Sequence, residues 1–112
     1  MVVNDDRDIA DLFAAALETG GFKADVIKDA ALALEKIKSD PYGFSLILID
    51  GTSQQDLDFP RIIKGINGRM KVVLASAFTF NDVEISKSGY DKVLLLPVTM
   101  SELVTIVREV LS

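Results

Sequence analysis

The chain has 112 residues, the length of one domain, and contains no Cys, His or Trp. Those absences exclude a disulfide framework, thiolate zinc sites, thiol catalysis, a Ser-His-Asp triad and a phosphohistidine relay within this chain. Lys plus Arg number 12 against 17 Asp plus Glu, a net charge of −5, which argues against direct nucleic-acid binding, and 49% hydrophobic residues predict one globular core.

Residues 1–3 read as a first strand. Ile9, Leu12, Phe13, Ala16 and Leu17 recur at i, i+3, i+4, i+7 and i+8 and predict one buried face of a helix, stopped by Gly20-Gly21. Residues 23–27 predict a short strand. Ala30, Ala33, Leu34 and Ile37 predict a second helical face, opened by Asp29 as N-cap and closed before Pro41. Leu46-Ile47-Leu48-Ile49 is too short for a helix and rich in β-branched residues, so it predicts a strand buried on both faces. Asp58 is expected to cap a third helix, with Pro60 near its first position and Gly65 or Gly68 at its end. Val72-Val73-Leu74-Ala75 and Val93-Leu94-Leu95-Leu96 predict two further buried strands, the second ended by Pro97. Residues 81–88, stopped by Gly89, predict a short helix between them. Thr99 and Glu102 make a capping box for a last helix, whose core face is Leu103, Ile106, Val107 and Val110.

Strand and helix thus alternate five times. Apolar strands joined by helices imply a parallel sheet covered on both sides, a three-layer, doubly wound α/β architecture. No apolar run is long enough to span a bilayer, and the N-terminus lacks the basic and apolar regions of a signal peptide. A cytoplasmic protein without membrane association is the expectation.

In such sheets function gathers outside the carboxyl ends of the strands, near the topological switch point. Asn4, Asp5 and Asp6 follow the first strand, Asp50 the third, Ser76 the fourth and Pro97 the fifth. Three carboxylates and a hydroxyl are therefore expected at one edge. Like charges that close raise each other's pKa unless a cation intervenes. Oxygen ligands without His or Cys suit a hard ion such as Mg²⁺. An Asp beside such an ion is suited to accept a phosphoryl group. A simpler reading stands beside this one: Asp after a strand often caps the next helix, and Ser76 can serve as a turn residue.

With these residues the chain resembles a response-regulator receiver domain, the phospho-acceptor module of two-component signalling, over residues 1–112. The resemblance rests on Val2-Val3-Asn4-Asp5-Asp6, on Asp50 ending Leu46-Ile47-Leu48-Ile49-Asp50, on Ser76-Ala77 after the fourth strand and on Pro97 after the fifth. Gly20-Gly21-Phe22, Pro41-Tyr42 and Gly89-Tyr90-Asp91 fall where that family has similar residues. It implies a flavodoxin-like sandwich of five parallel strands in the order 2-1-3-4-5 with five helices. It also implies Asp50 as phospho-acceptor and Ser76 as switch hydroxyl. Mg²⁺ would be held by Asp5, Asp6, Asp50 and the Thr52 carbonyl, and the peptide before Pro97 would be cis. Implied partners are proteins: a histidine kinase or phosphotransferase docking near the first helix, and an effector protein or an attached output domain.

The departures from the family pattern matter for function. Asn4 replaces the first acid of the acidic pair, so Mg²⁺ binding should be weakened. Leu96 replaces a lysine whose ammonium bonds the phosphoryl group in the family. Lys71 and Lys92 lie at the opposite ends of their strands, roughly 13 Å away, which leaves Arg7 as the cation within reach. Val93 takes the place of the aromatic switch, Ser53-Gln54-Gln55 that of a Met-Pro-Gly segment, and the helix at 81–88 is shorter than usual. The expectation is an atypical receiver that acts through protein–protein contacts, with impaired or absent phosphorylation switching.

The alternative is an ordinary phosphorylatable receiver, with Asp50 accepting a phosphoryl group from a histidine kinase. A remote third reading, a haloacid-dehalogenase-like phosphatase, is suggested by Asp50-Gly51-Thr52. It fails on the second Asp that such chemistry needs at position 52 and on chain length. Val104 and Leu111 widen the apolar face of the last helix, by packing or as a homodimer or effector surface. A three-residue first strand is short, so the 112 residues are expected to be a piece of a longer chain.

Overall fold

The computed structural model describes residues 1–50, 59–77 and 89–112. The strands are β1 (Val2–Val3), β2 (Val26–Ile27), β3 (Leu46–Asp50), β4 (Lys71–Ser76) and β5 (Lys92–Leu95). The helices among the described residues are α1 (Arg7–Thr19), α2 (Ala30–Ser39), α3 (Phe59–Ile66) and α4 (Met100–Leu111). All strands are parallel and form one sheet in the order β2-β1-β3-β4-β5. The order reverses between β1 and β3, which makes their carboxyl ends the switch point.

The apolar residues of each strand alternate between two cores. Val3, Ile47, Ile49, Val72 and Leu74 pack with Ala33 and Ile37 of α2 and Phe59 and Ile63 of α3. Val2, Leu46, Leu48, Val73 and Ala75 pack with Ala10, Phe13 and Leu17 of α1 and Leu103 and Val107 of α4. This explains why β3 and β4 read as continuous apolar runs: both faces of each strand are covered.

Local chemistry sets the helix ends. Asp29 is the N-cap of α2 and accepts from Leu32 N at 2.9 Å. Thr99 caps α4 and accepts from Glu102 N at 3.1 Å. After α1 the chain turns at Gly21, whose φ of +95° is costly for any side chain, and Phe22 N closes the helix end on Leu17 O at 3.0 Å. Removing one such cap has a defined cost: Asp29→Ala is expected to lower the unfolding free energy by about 1 kcal/mol in urea titrations.

Three expectations change and a fourth narrows. The α1 face is rotated: Ile9 and Leu12 are 41% and 55% exposed, and Ala10 and Ala14 take the inward positions beside Phe13, Ala16 and Leu17. Both arcs of α1 are apolar, and the arc with Ala10, Phe13 and Leu17 packs on the sheet. The second strand is confined to Val26–Ile27 rather than 23–27, because only those residues pair with β1. The fifth strand is an edge strand, not a doubly buried one; Leu94 is buried but Leu95 is 50% exposed. The third helix runs through Gly65 and ends at Ile66, so of the two expected stops Gly68 is the one at its end. The expected helix at 81–88, the Asp58 cap, Thr52 and Ser53-Gln54-Gln55 lie outside the described residues.

Candidate functional site at the carboxyl edge of the sheet

Strand register places the predicted residues relative to one another. Val3 lies opposite Ile49, so Asn4 and Asp50 are the next residues outward on adjacent strands at the switch point. Asp50 lies opposite Ala75, and Ser76 stands one residue farther out on β4. Leu96 N donates to Ser76 O at 2.8 Å, which brings position 96 beside Ser76. The edge therefore reads Asn4, Asp50, Ser76, Leu96. Asp50 is half-buried and Ser76 is buried.

The acidic loop after β1 is used differently from the expectation. Asn4 is 3% exposed, and its Oδ1 accepts from Asp6 N at 2.9 Å. Asp6 is the N-cap of α1: its Oδ1 accepts from Asp8 N at 3.1 Å and Ile9 N at 3.3 Å. Among the described residues no three acidic side chains stand together in a group able to hold a metal ion. Asp6 thus follows the simpler reading, in which an Asp after a strand caps the next helix. A carboxylate gains more from free amides and the positive end of a helix than from two like charges. Asp5 is exposed and Asp50 is half-buried.

The cation reading also changes. Arg7 Nε lies 3.3 Å from Asp11 Oδ1, an i,i+4 pair on the surface of α1. Arg7 is thus turned along its helix. Lys71 and Lys92 begin β4 and β5 and so lie at the amino edge. Leu96 is half-buried and packs against the core that contains Leu94 and Leu103, and an isobutyl group offers no donor there. The Leu96–Pro97 peptide is cis, the isomer implied by the resemblance. Val93, also half-buried, packs against the opposite core.

Three features escaped the sequence reading. Lys28 follows β2 directly and is exposed at the same carboxyl edge. A groove of ≈ 670 Å³ runs between α1 and α4, with Leu12, Ala15, Met100, Val104 and Arg108 in its walls. At the amino edge, Asp91 Oδ2 accepts from Lys64 Nζ and from Val72 N, each at 2.8 Å. The first was legible as a cation directly after a strand. The other two arise between residues far apart in sequence and leave no local pattern.

The whole arrangement is similar to solved response regulators. A response regulator from Thermotoga maritima is 26% identical, with a TM-score of 0.84 over 99% of this chain and 94% of that one. The Francisella response regulator 1452 receiver domain is 26% identical, with a TM-score of 0.83 over 98% and 93%. A CheY-like receiver domain protein from Methanospirillum hungatei JF-1 is 24% identical, with a TM-score of 0.84 over 98% and 90%. The chain has the receiver-domain fold. No protein-family model and no curated protein sequence matches it. On this fold the chain has a carboxylate at the end of β3, a hydroxyl at the end of β4 and Leu96 after β5. No helix among the described residues is long and apolar enough to cross a membrane.

Proposed function

We propose that this receiver is a signalling module that works chiefly through protein–protein contacts, and that Asp50 is a phospho-acceptor whose conformational read-out is impaired. The observation that carries the reading is the split at the carboxyl edge. Asp50 and Ser76 stand at the strand ends, while Leu96 is half-buried against the core and Asn4 is tied to the α1 loop. Acceptor chemistry needs the first pair. Relaying a new charge to β5 and α4 needs a group at position 96 that can bond it, and an isobutyl group cannot.

In the acceptor step an Asp50 carboxylate oxygen attacks the phosphorus of a phosphodonor. A new P–O bond forms, and the donor's bond to phosphorus breaks, P–O in an acyl phosphate or P–N in a phosphohistidine, with its electron pair leaving on the departing carboxylate or imidazole. Mg²⁺, when bound, would neutralise charge between Asp5 and Asp50, with the Thr52 carbonyl as a backbone ligand. With Asn4 and Asp6 committed to the α1 loop and cap, that binding is weak. Partners are a histidine kinase or phosphotransferase protein, and an effector or attached output domain. The exposed Leu12 and the α1/α4 groove suit a partner helix, which includes the option of a second copy of this chain. The acidic charge disfavours nucleic acid, and a cytoplasmic setting fits the reading. The module is not itself an enzyme.

Incubation with Mg²⁺ and acetyl phosphate, followed by intact mass, tests the acceptor half: a phosphoryl adduct is expected, and none with Asp50→Asn. Amide chemical shifts test the read-out half. On phosphorylation, signals around Asp50 and Ser76 should move and those of β5 and α4 should stay. Shifts through β5 and α4 would overturn the impaired read-out, and a wild-type chain without adduct would overturn Asp50 as acceptor.

A further inference from the structure

A phosphoryl group on Asp50 brings negative charge to an edge that already carries Asp5 and Asp50, so transfer there requires a compensating cation. Leu96 supplies none. Eleven of the twelve Lys and Arg residues lie among the described residues and can be taken individually. Lys23, Arg69, Lys71 and Lys92 lie at or before the amino ends of strands. Lys36 and Lys38 are in the last turn of α2, and Lys36 pairs with Asp25 at 3.3 Å. Arg61 and Lys64 are on α3, the latter bound to Asp91. Arg108 Nη2 donates to Gly20 O at 2.8 Å, and Arg7 pairs with Asp11. Among the described residues Lys28 is the cation that directly follows a strand at the carboxyl edge.

Register and alternation place it well. Ile27 lies opposite Val3, and Val3 opposite Ile49. Those three belong to one core, whereas Val26, Val2 and Leu48, the residues before them, belong to the other. The next residues outward, Lys28, Asn4 and Asp50, therefore form one row across adjacent strands and follow the parity of the α1 face. Two strand spacings separate Lys28 from Asp50, roughly 10 Å between backbones. Between them Asn4 is neutral and its Oδ1 is bonded to Asp6 N, so no carboxylate on that middle strand position competes for the ammonium. The neighbouring Asp29 is occupied in capping α2. The flexible four-carbon stem of a lysine can carry its ammonium across much of the row, toward the outer oxygens of a group bonded to Asp50.

We propose that Lys28, at the end of β2, is the phosphoryl-binding cation of this receiver, reaching across Asn4 toward a phosphoryl group on Asp50. This rests on the reading of Asp50 as acceptor. Lys28 acts from the opposite side of Asp50 to position 96, so charge neutralisation is uncoupled from β5 and α4. Transfer and read-out thereby become separate properties in this molecule.

The test is a time course of adduct formation with acetyl phosphate and Mg²⁺, read by intact mass, for wild type, Lys28→Met and Lys28→Arg. Lys28 is exposed, so thermal melts of the variants should match wild type. Lys28→Met is expected to slow adduct formation about tenfold, the scale of one lost, partly solvated charge contact, and Lys28→Arg to restore most of it. The wild-type rate should fall with added salt and the Lys28→Met rate should respond less. Equal rates in wild type and Lys28→Met overturn the assignment of Lys28 while leaving Asp50 as acceptor. A wild type that forms no adduct overturns the acceptor reading and the Lys28 assignment together.

Discussion

Asp91→Ala is expected to lower the unfolding free energy by about 2–3 kcal/mol, the scale of a partly buried charge pair with a second hydrogen bond. One oxygen of this side chain holds three elements: Lys64 Nζ of α3 and Val72 N of β4 both donate to Oδ2, and Asp91 itself leads into β5. Lys64 also donates to Met70 O at 3.2 Å. The side chains of Lys64 and Asp91 are 32% and 24% exposed, so water screens the pair only in part. Truncating Asp91 leaves the Val72 amide without its acceptor and the Lys64 ammonium without its counter-charge. The melting temperature should fall by roughly 10 °C for a domain of this size. Asp11→Ala removes the exposed partner of Arg7 and should change stability by less than about 0.5 kcal/mol. Equal effects from the two substitutions would show that the amino-edge network contributes no more than a surface pair.

Lowering the pH from 8.5 to 5.5 is expected to cost the 112-residue polypeptide about 2–3 kcal/mol of stability through one group, the Met1 amine. Burial pushes its pKa down from 8.0 to about 6; nearby Asp25 opposes the shift and Lys36 adds to it. The amine donates to Leu46 O at 2.9 Å inside the sheet. Between pH 6 and 8 the unfolded chain holds this proton and the folded chain has released it. Stability therefore rises with pH across that window, is fully present above about pH 8, and is lost as pH falls toward 6. The absence of His and Cys makes the window clean, since no other group has its ordinary pKa there. Urea titrations at a series of pH values check this, with the Nα-acetylated polypeptide as control. A slope that survives acetylation would overturn the assignment.

What the sequence by itself determined was the part written in local patterns. β3 and β4 are legible because doubly covered strands must be apolar on both faces, and α2 and α4 because Asp29 and Thr99 cap them within three residues. The alternation of strand and helix implies a parallel sheet, and with it the edge on which Asp50, Ser76 and position 96 meet. The loss of a donor at Leu96 is equally a matter of residue type. Only the tertiary structure decided which apolar arc of α1 turns inward, since both arcs satisfy a helical period and the sheet selects the one with Ala10 and Ala14. It also decided between two uses of the same carboxylate. Asp6 reads equally as a cap or a metal ligand in sequence, and the amides of Asp8 and Ile9 claim it once α1 is set beside β1. The Lys64–Asp91 pair, 27 residues apart, and the row Lys28, Asn4, Asp50 exist only through strand register. Periodicity reports how one element divides water from core; which charges meet across elements is set by how those elements pack.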